Sequence, residues 1–316
     1  MTQLGFPRHI LHVDQFSRTD LDRLFAHARA MRGLVGRPGD ERLRGRILAT
    51  LFFEPSTRTR LSFESAMLRL GGQVISAESA DITSSAVKGE TIEDTVRIVE
   101  SYADAIVIRH PKSGIPDAAA AVASVPILNA GDGPGEHPTQ ALLDLFTIAE
   151  EIGRVDDLTI TLAGDLRYGR APRSLAMLLT RTKDCRLMLS TPPGIEMAED
   201  VVRRLTAEGV QFDIEPDLTA AASQSDVVYV TRVQKERFPS EEAYQQARGS
   251  YHFTPAHLAA MKPDSIVMHP LPRVDEIAAE VDSDRRAAYF RQARYGVYIR
   301  MAILDILLGS GDGTKV

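Results

Sequence analysis

Ile47-Leu48-Ala49-Thr50-Leu51-Phe52-Phe53-Glu54-Pro55-Ser56-Thr57-Arg58-Thr59-Arg60 runs from a mostly apolar stretch into hydroxyls and two guanidinium groups. Ile47–Phe53 reads as a buried strand. After it Phe63, Ala66, Met67 and Leu70 recur at helical spacing until Gly71-Gly72 ends the helix. Ser56 and Thr57 therefore stand where that helix begins. The first amides of a helix lack partners and the macrodipole is positive there, so a phosphate gains both hydrogen bonds and favourable charge. Arg58 adds a planar fork suited to an oxyanion. Capping alone accounts for a serine or threonine at a helix start. Consecutive hydroxyls interleaved with two arginines exceed that need, and the stretch reads as a phosphate site.

The pattern of apolar strand, polar loop and helix recurs along the chain, which signals α/β architecture. Candidate strands are Ile47–Phe53, Ala105–Ile108, Pro126–Leu128, Leu158–Ala163, Leu187–Ser190, Val227–Thr231 and Ser265–Met268. Most are too uniformly apolar for a half-exposed sheet, so parallel sheets covered on both faces are expected. Pro138 opens a helix with Leu142, Leu145, Ala149 and Ile152 at helical spacing, and Gly153 closes it. Three candidate strands precede this helix and four follow, which makes it the bridge between two domains of similar size. The expected fold is two doubly wound domains, each with a mainly parallel sheet flanked by helices, with the active site in the cleft between them. The expected division is residues 1–138, with a C-terminal helix over 295–316 packing back on them, and residues 139–294.

A length of 316 residues suits two domains, and the composition is that of an ordinary soluble protein. The net charge of −6 with no basic run argues against nucleic acid as a partner. Cys185 is the sole cysteine, which excludes an internal disulfide and leaves a structural thiol. Arg8, His9 and His12 interrupt the first apolar runs, so no signal peptide is expected. No window approaches a spanning helix, and Val297–Leu308 is too short and interrupted for one. A cytoplasmic protein without membrane contact is expected. Gly309–Gly313 reads as a flexible tail.

In open α/β sheets ligands bind beyond the carboxyl ends of the strands. Those ends carry Ser56-Thr57-Arg58-Thr59, Arg109-His110-Pro111, Asn129 through Gly135 followed by His137-Pro138-Thr139-Gln140, Gly164 through Arg170, Arg232-Val233-Gln234-Lys235 and His269-Pro270-Leu271-Pro272-Arg273. Arginine follows five of these six strands, which points to a strongly anionic ligand. Other chemistries lack their residues. His137 has no histidine or cysteine at metal-ligand spacing, no Gly-x-Ser-x-Gly occurs, and neither a dinucleotide fingerprint nor Gly-Lys-Ser/Thr is present. Neither metal nor cofactor is indicated.

Ser56-Thr57-Arg58-Thr59-Arg60, Arg109-His110-Pro111, His137-Pro138-Thr139-Gln140 and His269-Pro270-Leu271-Pro272 together closely resemble the carbamoyltransferases, over nearly the whole chain. Arg232-Val233-Gln234-Lys235-Glu236-Arg237 and His269 through Glu276 are similar to the aspartate carbamoyltransferase branch. Ornithine enzymes of the family carry cysteine where this chain has Pro270. The resemblance implies transfer of a carbamoyl group from carbamoyl phosphate to L-aspartate, the committed step of de novo pyrimidine biosynthesis. It implies direct attack by the amine, with no cofactor and no covalent intermediate, because the mixed anhydride is already activated.

The resemblance also implies roles. Ser56, Thr57, Arg58 and Thr59 bind the phosphate, with Thr59 near the carbonyl oxygen. Arg109 and His137 polarise that carbonyl. Gln140 and the backbone carbonyls of Pro270 and Leu271 hold the carbamoyl amide, and Arg170, Arg232 and Gln234 grip aspartate. Ser84-Ser85-Ala86-Val87-Lys88-Gly89-Glu90 resembles the family's mobile loop, whose Ser84 and Lys88 enter a neighbouring subunit's site, so Lys88 joins Arg58, Thr59, Arg109 and His137 as catalytic. By itself such a loop reads as an exposed turn. A homotrimer with shared active sites is implied, with regulatory or other pathway-enzyme chains as further partners. His110 and His269, both before proline, read as scaffolding; Glu54 carries no role, and Asp165 reads as orienting an arginine. Transfer to another amino acid such as ornithine, and a non-catalytic anion-binding scaffold, are the alternatives.

Overall fold

Ile47–Phe52 forms β1, and each of its residues after Ile47 is buried. Leu48, Thr50 and Phe52 face one side and Ala49, Leu51 and Phe53 the other, so helices must cover both. In this computed structural model residues 5–37, 39–78, 89–232, 240, 242 and 251–309 are described. Two units form, residues 1–139 with 296–316, and residues 140–295.

In the first unit α1 (Arg18–Arg32) starts at Ser17, whose hydroxyl accepts the Asp20 amide while the Asp20 carboxylate accepts the Ser17 amide. After β1 come α2 (Thr57–Arg69), β2 (Gln73–Glu78), α3 (Ile92–Val99), β3 (Ala105–His110), α4 (Ile115–Val122) and β4 (Ile127–Asp132). The sheet is parallel throughout, in the order β2-β1-β3-β4. The chain thus winds outward from β1 to β2, then crosses to β3 on the other side. A crevice opens between the carboxyl ends of β1 and β3, where the winding reverses. Phe63 of α2 is fully buried; its truncation to alanine costs about 3–5 kcal/mol. The C-terminal helix is pinned to this unit by Asp305, which pairs with His27 at 2.7 Å and Arg42 at 2.9 Å.

The second unit repeats the plan. It holds α5 (Pro138–Ile152), which begins two residues before it, then β5 (Thr159–Ala163), α6 (Arg170–Leu179), β6 (Arg186–Ser190), α7 (Glu199–Ala207), β7 (Gln211–Ile214), α8 (Leu218–Gln224), β8 (Val227–Val230), α9 (Pro255–Ala260) and β9 (Ile266–Met268), and enters α10 (Tyr289–Leu308). Its sheet is also parallel, in the order β7-β6-β5-β8-β9. Here the winding reverses between β5 and β8. Val228, Val230, Phe253, Val267 and Tyr289 form part of one buried cluster. Cys185 is buried and donates to the Val155 carbonyl, the place of a structural thiol.

Among the described residues four strands precede α5 and five follow, one more on each side than the apolar runs predict. The additions, β2 and β7, are edge strands with mostly exposed or half-exposed residues. Their sequences carry no continuous apolar run, because one long edge and part of each face remain outside the core. Among the described residues no helix is long and apolar enough to cross a membrane.

Candidate active site

Both places where the winding reverses carry the groups singled out above. In the first unit the chain leaves β1 through Glu54-Pro55 and enters α2 at Ser56, the N-cap, in extended conformation. The Ser56 hydroxyl makes no capping bond, so the ordinary use of a serine at this position is not what the structure displays. The amides and hydroxyls of the first turn stand at the positive end of α2. Thr59 faces inward and is 8% exposed. Arg58 lies outside, and among the described residues no carboxylate pairs with it. Arg60 differs, since Glu78 holds it at 2.9 Å and Glu64 at 4.0 Å. Two neighbouring arginines thus divide into one tied to carboxylates and one available to an anion.

From β3, Arg109 donates to the Glu54 carboxylate at 3.3 Å and to the Ala130 carbonyl at 3.4 Å. His137, 5% exposed, places Nε2 at 3.5 Å from the Thr59 hydroxyl. The structure therefore brings together the ends of β1, β3 and the segment after β4. Gly133 has φ +52°, and a Cβ there would lie 2.3 Å from the Pro111 carbonyl oxygen, so only glycine lets the loops after β3 and β4 approach this closely. His110 is scaffolding: its Nδ1 accepts the Lys112 amide and its ring tilts against Phe53.

The loop that delivers His137 is held from behind. Asp132 accepts the Glu136 amide at 2.7 Å and the Gly114 amide at 3.0 Å. Glu136 accepts the Val13 amide at 2.9 Å and faces His12 Nδ1 at 3.2 Å, while His12 Nε2 faces Asp117 at 2.7 Å. The hydrogen bond to Glu136 outweighs burial and, with that to Asp117, raises the His12 pKa to about 9.

In the second unit Gly164 follows β5 with φ +105°, and a Cβ there would lie 2.2 Å from the carbonyl oxygen of Thr231, which follows β8. Arg170 opens α6 and Arg232 follows Thr231, so these two half-buried arginines flank the second reversal. Buried Asp165 accepts the Tyr168 amide at 2.8 Å and shapes this turn. His269 is scaffolding too, with Nε2 on Glu276 at 2.7 Å and Nδ1 accepting the Leu271 amide at 2.7 Å. Those bonds hold Leu271 at φ +55°, unusual for a branched side chain, and the Leu271–Pro272 peptide is cis. Gln140 donates from Nε2 to Asp144 at 2.8 Å.

Ser84, Lys88 and Gln234 lie outside the described residues. Sequence reading gave no role to Glu54, Asp144, Gln292, His12 or Glu136, which the structure joins to the expected groups. Only Asp144 left a trace, one helical turn after Gln140. Among the described residues no cluster of histidine, cysteine, aspartate or glutamate fits a metal ion.

Residues 8–150 match the carbamoyl-phosphate-binding domain of the aspartate/ornithine carbamoyltransferases, and residues 156–307 match the aspartate/ornithine-binding domain. A chloroplastic aspartate carbamoyltransferase of Pisum sativum is 52% identical over 301 residues, covering 95% of this chain and 78% of that one. An aspartate carbamoyltransferase catalytic subunit of Methanocella arvoryzae is 47% identical over 303 residues, covering 96% and 97%. The crystal structure of Trypanosoma cruzi aspartate transcarbamoylase in complex with carbamoyl phosphate and aspartate aligns with a TM-score of 0.91 at 42% identity, covering 98% of this chain and 99% of that one. With both domains matched and relatives 47% and 52% identical over almost the whole chain, the chain belongs to the aspartate/ornithine carbamoyltransferase family.

Proposed function

We propose that the chain transfers the carbamoyl group of carbamoyl phosphate to the amine of L-aspartate, giving N-carbamoyl-L-aspartate and phosphate, the committed step of de novo pyrimidine biosynthesis. The observation that carries this reading is the pair of reversal points. One holds a helix N-terminus with Ser56, Thr57, Arg58 and Thr59 beside Arg109 and His137; the other holds Arg170 and Arg232. The first set fits a phosphate dianion and an adjoining carbonyl, and the second fits a dicarboxylate. The unit of residues 1–139 supplies the groups for the phosphate and the carbonyl, and the unit of residues 140–295 supplies the aspartate groups, with Gln234 among them.

Ser56, Thr57, Arg58 and the α2 amides hold the phosphate. Thr59, Arg109 and His137 direct donors at the carbonyl oxygen, where charge grows as the amine attacks. Gln140 and the carbonyls of Pro270 and Leu271 hold the amide. The amine nitrogen forms its bond to the carbonyl carbon, the bond from that carbon to the bridging oxygen breaks, and the departing phosphate takes the amine proton. No covalent enzyme intermediate forms.

Ser84 and Lys88 reach a neighbour's site in a homotrimer. Exposed apolar side chains on the first unit support an oligomer: Leu61 and Leu68 lie two turns apart on one face of α2, 50% and 59% exposed, and Ile75 on edge strand β2 is 41% exposed. The Methanocella relative is called a catalytic subunit, and regulatory or other pathway-enzyme chains are further partners under this reading. The cytoplasm is the proposed location, although the pea relative is chloroplastic.

Incubation of the purified protein with carbamoyl phosphate and either aspartate or ornithine, followed by measurement of ureido product, tests the function. Product with aspartate alone is expected. Product with ornithine alone overturns the choice of substrate, and product with neither favours an anion-binding scaffold.

A further inference from the structure

Asp144 follows Gln140 by one turn of α5 and is fully buried. Its Oδ1 accepts Gln140 Nε2 at 2.8 Å and Gln292 Nε2 at 2.6 Å, and its Oδ2 accepts the Tyr229 hydroxyl at 2.8 Å. Burial, with the neighbouring Asp144 charge, raises the Tyr229 pKa well above its usual value, so the hydroxyl keeps its proton. Gln292 spends its own oxygen on the His269 amide at 2.9 Å. His269 then accepts the Leu271 amide on Nδ1. One carboxylate thus touches the Gln140 side chain directly and the His269–Leu271 segment through a single intermediary.

An oxygen that accepts two N–H donors has only lone pairs to offer them. Each glutamine must therefore turn its nitrogen toward Asp144 and its oxygen away. For Gln292 that oxygen meets a backbone amide. For Gln140 no donor among the described residues takes that oxygen. The distinguishing donors of carbamoyl phosphate are the two hydrogens of its terminal amide, and they require acceptors.

We propose that Asp144 is the positioning residue for carbamoyl selectivity, fixing Gln140 Oε1 and, through Gln292 and His269, the carbonyls of Pro270 and Leu271 as acceptors for the carbamoyl amide. This rests on the assignment of Gln140, Pro270 and Leu271 to that amide. Asp144 touches no reacting atom under this arrangement. Its effect is on which end of the Gln140 amide the substrate meets, since a flipped Gln140 would set donors against donors and strand them.

Acetyl phosphate, with methyl in place of the amide, separates this role from general support of the fold. It shares the phosphate and carbonyl but needs none of these acceptors. In Asp144→Leu/Tyr229→Phe, where the hydroxyl is removed together with its acceptor, KM for carbamoyl phosphate should rise at least tenfold. The inhibition constant of acetyl phosphate should stay within twofold. Asp144→Asn should recover most of the selectivity, because its amide oxygen can occupy the Oδ1 place while its nitrogen donates to Tyr229. Should the double variant fail to fold, Gln292→Met cuts the branch to His269 alone, and a selective rise of at least threefold is expected. Parallel weakening of both phosphates, or no change in either, overturns the proposal. Gln140→Ala separates the two layers: no selective effect there removes the assignment of Gln140 itself, whereas a selective effect there without one in the Asp144 or Gln292 variants removes only the role of Asp144.

Discussion

Arg109 donates to Glu54 at 3.3 Å, so a guanidinium at the end of β3 meets a carboxylate at the end of β1 across the reversal point of the first sheet. Both belong to segments that would surround a dianion. Glu54 presets the arginine and also opposes the ligand, so its contribution depends on Arg109 being present. Arg109→Ala should lower kcat by about a hundredfold, or roughly 3 kcal/mol of transition-state stabilisation. It should also leave the Glu54 charge facing incoming phosphate. Arg109→Ala/Glu54→Gln should therefore bind inorganic phosphate about threefold to tenfold more tightly than Arg109→Ala alone, as neighbours sharing one network couple non-additively. Calorimetric titration checks this, and equal affinities would remove the electrostatic opposition.

Gly164 and Thr231 make the corresponding pair in the second unit. Gly164→Ala forces a Cβ to within 2.2 Å of the Thr231 carbonyl oxygen at a φ of +105°. A side chain held in that conformation costs about 1–3 kcal/mol. Separating the loops after β5 and β8 should displace Arg170 and Arg232 together. The urea midpoint should fall and KM for aspartate should rise several-fold, while inorganic phosphate binding stays unchanged. Equal damage to phosphate binding would show that the strain spreads beyond its own unit.

How much of this was legible in sequence follows from what each element buries. β1, β3, β5 and β8 are central strands, so they read as apolar runs; β2 and β7 lie at edges and escaped notice. Hydroxyls and arginines at strand ends were visible because few structural needs concentrate them there. Partnerships were hidden. Glu54 lies 55 positions from Arg109, and Gln292 lies 148 positions from Asp144. Only the fold brings such residues together. Ser56 shows what local pattern leaves open: a serine at a helix start suits a cap or an anion, and the structure leaves its hydroxyl out of the capping role.

His12 gives the molecule a pH dependence with a defined sign. Its pKa rises from 6.5 to about 9 in the folded chain, chiefly through Glu136. The resulting stabilisation is complete below pH 6.5, where both folded and unfolded forms are protonated, and disappears as pH climbs through about 9. The side chain is 39% exposed, so solvent screening limits the effect to ~1 kcal/mol. Urea melts from pH 6 to 10 should show that loss in the wild type and not in His12→Gln. A constant difference between the two proteins across this range would remove the charged pair as its cause.

Sharing of sites between subunits has a quantitative signature. If Arg58 binds phosphate in its own subunit and Lys88 enters from a neighbour, Arg58→Ala and Lys88→Ala each abolish most activity in homogeneous trimers. Each should fall about a hundredfold, in keeping with removal of one preorganised charged donor. Random reassembly from equal amounts leaves about one site in four with both residues intact, because closed cyclic symmetry gives every subunit one neighbour on the relevant side. Mixing the two variants under conditions of demonstrated exchange should therefore restore about a quarter of wild-type activity. Two residues acting within a single subunit would yield no recovery at any mixing ratio, since every site would then lack one or the other.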